Sequence, residues 1–189
     1  MNKIVKILTI SDCFIYFGIG LISPILSVFI TKNITGGTLA AAGLAAGLFL
    51  LIKSIFQLIF AEVFGFKDRF NMLIAGTLML ALTPMIYLFS LNIYYIYAAQ
   101  AVYGIGAALI SPAWLNLFTL NVNKKKPGFE WSVYISSLGI CMGIAGYLGA
   151  WLAAKFGFSL IFILNGIFIL IGVFILFGLY NLLNKRKRK

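Results

Sequence analysis

Histidine is absent from this chain, acidic residues number four and cysteines two. Without histidine there is no imidazole to ligate a metal or to act as a general base. The four acids, Asp12, Glu62, Asp68 and Glu130, are too few and too scattered for paired-carboxylate hydrolysis. Cys13 and Cys141 each stand inside an apolar run, where a thiol serves as a small hydrophobe rather than as half of a disulfide or metal pair. The chain is therefore read as a non-enzyme with no metal and no cofactor. Charge of any sign is scarce, at 10% of residues, whereas a soluble domain carries about a quarter. Hydrophobic residues reach 62%, against about half in a soluble domain. That excess has to face lipid, so the chain is an integral membrane protein. Its formal charge of +11 then belongs to orientation at a membrane surface and to anionic lipid, not to nucleic acid.

Six apolar segments are expected to be helices: Ile4–Ile30, Thr38–Phe64, Phe70–Phe89, Ile93–Leu120, Trp131–Lys155 and Ser159–Leu183. Each is about 20 residues or longer, enough to cross roughly 30 Å of hydrocarbon. The first is not a cleaved leader, because Asp12 interrupts its core and no small-residue cleavage site follows. Asn121–Glu130 is the longest internal loop and holds Lys124, Lys125 and Lys126. An even number of spans puts both termini on one side. That side collects Lys3, Lys6, Lys67, Arg69, the three loop lysines and the basic tail at 185–189, while Lys32 and Lys155 fall on the other. The asymmetry places both termini in the cytoplasm, with the spans in the plasma membrane. The fold class is all-α: one polytopic six-helix bundle over residues 1–189, with a tail at 184–189 and no further domain.

Two words recur along the chain. Gly18-Ile19-Gly20-Leu21-Ile22-Ser23-Pro24 returns, with two residues inserted, as Gly104-Ile105-Gly106-Ala107-Ala108-Leu109-Ile110-Ser111-Pro112. Phe64-Gly65-Phe66 closes the second segment, and Phe156-Gly157-Phe158 closes the fifth. Their order implies two related halves, about 4–90 and 93–183. In so apolar a sequence, chance recurrence is the competing explanation. Gly43 and Gly47 in the second segment, and Gly139, Gly143, Gly146 and Gly149 in the fifth, are spaced to let neighbouring backbones approach. Pro84 is expected to kink the third helix.

Six helices, cytoplasmic termini and the turn at Asp68-Arg69 together resemble the N-terminal half of a major facilitator superfamily transporter. That family's turn after its second helix reads G-x-x-x-D-R-x-G-R-R or similar. Asp68-Arg69 matches its D-R pair, but Gly65 stands one residue too close, Asn71 replaces the second glycine, and the later basic residues are missing. The fourth helix of the family carries R-x-x-x-G-x-G, then a proline. Here Gln100 replaces the arginine, while Gly104, Gly106 and Pro112 match. The arginine is associated with proton coupling, so coupling through Gln100 does not carry over. Gly146 stands where the antiporter motif has proline. The resemblance implies nested 3+3 inverted repeats and a solute cavity between two six-helix halves. The expected function is alternating-access transport of a small solute, in partnership with a second copy or a separately encoded half. The alternative is a non-transporting six-helix scaffold or a truncated transporter fragment.

Polar residues within the spans mark the expected pathway: Asp12, Tyr16, Lys53, Gln57, Gln100, Tyr103 and Asn116. Each is costly in lipid unless it faces protein or water. Gly65, Asp68 and Arg69 form the expected gating turn, and the glycines and prolines above are the bending and packing positions. Tyr16, Tyr103 and Trp114 suit an amphipathic or apolar solute. Asp12 and Lys53 lie about 12 Å and 14–17 Å from the cytoplasmic ends of consecutive helices at 1.5 Å per residue. They are expected to interact, with Asp12 the proton-titrating member. The competing arrangement has Lys53 snorkelling and Asp12 bonded to Ser11 or a helix end.

Overall fold

A computed structural model of the chain describes residues 2–65 and 68–187, with side chains as far as Tyr180. Phe66 and Lys67 of the charged turn, and the basic side chains of the tail, lie outside the described residues. Seven helices make six spans: α1 (Lys3–Ile22), α2 (Leu26–Asn33), α3 (Leu39–Val63), α4 (Arg69–Leu88), α5 (Ile93–Asn121), α6 (Pro127–Phe156) and α7 (Phe158–Lys187). The first span is α1 and α2 together, Lys3–Asn33. Among the described residues there is no β-strand, only a single bridge between Thr35 and Asn92.

Polar residues set the helix starts. Asn2, Thr38 and Asn92 each accept a hydrogen bond from the first turn of α1, α3 and α5, satisfying N–H groups that lipid cannot. Pro127 opens α6, where its missing N–H costs nothing. The helix therefore starts before Trp131, and the expected ten-residue loop shrinks to 122–126. Gly157 ends α6 with φ +83°, a conformation that only glycine adopts without strain. The expected unbroken first helix is interrupted at Ser23–Ile25. Pro24 has no N–H to donate to Gly20, and Ile25 donates to Ile22 instead of continuing the α pattern. Pro84 and Pro112 are held within α4 and α5.

Helix α1 packs between α6 and α7, α5 packs between α3 and α4, and α4 meets α7. Glycines make the crossings close. A Cβ on Gly106 would stand 2.8 Å from the Gly76 carbonyl oxygen, and one on Gly76 2.6 Å from that of Gly106. A Cβ on Gly18 would lie 3.0 Å from Asn165 O, one on Gly20 3.1 Å from Met142 Cα, and one on Gly104 3.1 Å from Phe49 O. Gly149 sits against the Leu21 carbonyl. The other expected packing glycines differ. Gly43, Gly47, Gly139 and Gly143 have nothing within 4 Å of a built Cβ, and Gly146 has only ordinary contact with Pro24 at 3.7 Å. Four of the small-residue positions on α3 and α6 thus point away from the bundle. The helices are 3.6-periodic, so one run of glycines cannot all face one neighbour.

Candidate functional site

Two polar centres lie within the bundle. The end that carries Lys3, Arg69 and Lys124–Lys126 is called the basic end here. The first centre is a cavity of about 360 Å³ in the half away from it. Ile19, Ile22, Ser23 and Leu26 line it from the first span, and Ala46 and Phe49 from α3. Leu80, Thr83 and Tyr87 reach it from α4, Gln100 and Tyr103 from α5, and Asn165 and Ile169 from α7. The break at Pro24 turns the chain at its wall. Gln100 and Asn165 are 5% and 4% exposed, and neither carboxamide hydrogen-bonds to another described residue. The Tyr103 ring packs on Phe49 at 4.8 Å between centroids.

The second centre lies nearer the basic end. Asp12 is 6% exposed and accepts a 2.8 Å hydrogen bond from the Tyr134 hydroxyl through Oδ2. Tyr134 belongs to an aromatic cluster with Trp114 at 4.5 Å, Phe118 at 5.4 Å and Trp131 at 5.7 Å. Trp114 is therefore a member of this cluster and not of the cavity wall. Tyr16 and Cys13 on α1 pack against the same cluster that holds Trp114 and Tyr134. Ser11 turns away and donates to the Gly172 carbonyl at 2.9 Å.

The expected Asp12–Lys53 pair does not form. α3 packs on α5 while α1 packs on α6 and α7, so the first two spans are not principal neighbours. Among the described residues no ion pair joins Lys53 to Asp12. The Lys53 ammonium instead stands 6.0 Å from the Phe49 ring centroid. Gln57 is half-buried on α3 and lines neither cavity described here. Asn116, Pro112 and Arg69 meet around a smaller cavity of about 140 Å³ at the basic end. Asp68 closes its own turn. Its Oδ2 accepts from the Gly65 N–H at 3.2 Å, and its own N–H donates to the Gly65 carbonyl at 3.2 Å.

Asn165, Thr83, Tyr87 and Tyr134 are site residues that sequence reasoning missed. Asn165 left a signal: it is the one carboxamide in the apolar run from Phe158 to Tyr180. Tyr134 left little, since aromatics near helix ends are common interface anchors.

The model of the Major Facilitator Superfamily matches residues 8–189. An uncharacterized MFS-type transporter of Methanocaldococcus jannaschii is 23% identical over 169 residues, which are 88% of this chain and 42% of that protein. The chain thus spans less than half the length of that relative. With six spans long and apolar enough to cross a membrane, and with a match that runs through all six, this chain is an integral membrane protein of the Major Facilitator Superfamily, a family of transporters.

Proposed function

We propose that this bundle is one half of an alternating-access transporter for a small solute, completed by a second six-helix unit. The observation that carries the reading is the cavity enclosed by the first span, α3, α4, α5 and α7, where the buried side chains of Gln100 and Asn165 stand in a mostly apolar wall. A scaffold has no use for such a space. The uncovered glycines of α3 and α6 support a second unit, because small residues admit close helix contact in lipid. A second copy of this chain or a separately encoded half would supply it. The asymmetry of basic residues supports cytoplasmic termini and contact of the basic end with anionic lipid in the plasma membrane.

The packing supports a nested repeat. Exchanging α1 with α5, α3 with α6 and α4 with α7 maps the principal contacts onto one another. Setting Leu21–Pro24 on Leu109–Pro112 without a gap pairs Gly18 with Gly106 and Asp12 with Gln100. Gly18 meets α7 and Gly106 meets α4, as that exchange requires. Asp12 would be the proton-carrying group, bonded to Tyr134 in the cluster with Trp114, Tyr16 and Cys13, none of them cationic. Asp12→Asn keeps an acceptor for Tyr134 but cannot titrate, so it should uncouple transport from a pH gradient.

The test uses Ala46→Cys on the cavity wall, in a background with Cys13 and Cys141 replaced by alanine. An impermeant maleimide is applied from one side of a proteoliposome at a time. Alternating access predicts labelling from either side, with each conformation protected from one. A scaffold would leave the thiol unlabelled from both, and an open pore would label it from both without protection.

A further inference from the structure

Resting on the transport reading above, we propose that this cavity binds an uncharged solute that offers both hydrogen-bond donors and acceptors beside an apolar or aromatic face. Gln100 and Asn165 come from α5 and α7, two helices that share no principal contact and are held apart by the cavity. Each carboxamide has two N–H donors and an oxygen with two lone pairs. Both are at least nine-tenths buried, and no described residue satisfies either one. Both side chains line the cavity, so whatever occupies it, solute or water, is placed to bond to them. Thr83 already donates to the Met79 carbonyl, so the two amides share the polar part of the wall with Ser23, Tyr87 and Tyr103.

The rest of the wall narrows the class. Ile19, Leu26, Leu80 and Ile169 are apolar, and the Phe49–Tyr103 pair presents ring surface. Among the described residues, no lining side chain is Asp, Glu, Lys or Arg. Lys53 stands on the Phe49 ring and adds nothing to the lining, and Asp12 is engaged by Tyr134 nearer the basic end. An ion entering here would lose water without gaining a counter-charge, whereas a neutral amide, alcohol or polyol would exchange water for two carboxamides. About 360 Å³ also suits a small organic molecule. Several waters would fit as well, so a bound solute and a cluster of water are the two occupants to separate.

Three probes with one body and different charge separate them: 3-phenylpropionamide, 3-phenylpropionate and 3-phenylpropylammonium. Binding to the full chain in lipid nanodiscs is measured by equilibrium dialysis. The amide should bind at least tenfold more tightly than either ion. Gln100→Leu or Asn165→Leu should weaken it at least fivefold, with the melting temperature showing that each variant is folded. Gln100→Glu should invert the preference and favour the ammonium probe, a gain that misfolding cannot mimic. Equal binding of the three probes, indifference to the leucine variants, or no binding, as for a cavity filled by water alone, overturns the proposal. If the amide binds but the cysteine at position 46 never changes sides, alternating access fails and the site stands. If that cysteine alternates but the amide does not bind, the site fails and alternating access stands.

Discussion

Asp12 and Tyr134 couple two helices through one short hydrogen bond. A carboxylate left alone at mid-span costs about 2.5–3.5 kcal/mol on the insertion scale, so its partner matters. Tyr134→Phe should lower stability by about 1–3 kcal/mol. A double-mutant cycle with Asp12→Leu, which removes the acceptor, should show a loss smaller than the sum of the single effects. The same cycle between Asp12→Asn and Lys53→Met should be additive within about 0.5 kcal/mol. Unfolding in mixed micelles reads both cycles. Asp68 is a different case. Asn at this position retains an oxygen for the Gly65 N–H, so Asp68→Asn should leave expression nearly unchanged while slowing uptake into liposomes. Equal loss of folded protein and of activity would mean that the turn is only structural. The burial of Asp12 was legible from its place in an apolar run. Its partner was not, because Tyr134 lies 122 residues away in sequence and only the packing of α1 on α6 brings it close.

Helix faces divide into those already filled and those uncovered. Gly106→Val would drive side-chain atoms into α4, where Gly76 O, Leu80 and Met79 already stand close, and should cost about 3 kcal/mol. Gly43→Leu meets nothing in the bundle and should change stability by about 0.5 kcal/mol or less. It should nevertheless weaken association with the second unit at least tenfold, read by dilution of a labelled partner in nanodiscs. Unchanged association would assign that face to lipid. At this scale the spans were legible, since twenty apolar residues between polar turns have few other uses in a membrane. The start of α6 was obscured because Lys124–Gly128 has a loop's composition, although Pro127 suits a first helical position. The break after α1 was obscured because proline is tolerated in other spans, as Pro84 and Pro112 are here. Which glycines meet a neighbour depended on helix order, and spacing alone does not carry that.

The whole molecule joins a packed interior to open outer faces. α4 and α7 meet, while α3 keeps most of its apolar surface outside the bundle. Long-range packing therefore explains both what the sequence disclosed and what it concealed. Residue types gave the membrane and the spans, while the order in which spans pack decided that Gln100 and Asn165 line one cavity and that Asp12 meets Tyr134. The central claim is that the working transporter contains two six-helix units. Native mass spectrometry of particles released from lipid, sorted by uptake activity in liposomes, tests it most directly. Activity should be confined to particles that hold two such units. A strictly monomeric six-span particle that still catalyses uptake would contradict the claim.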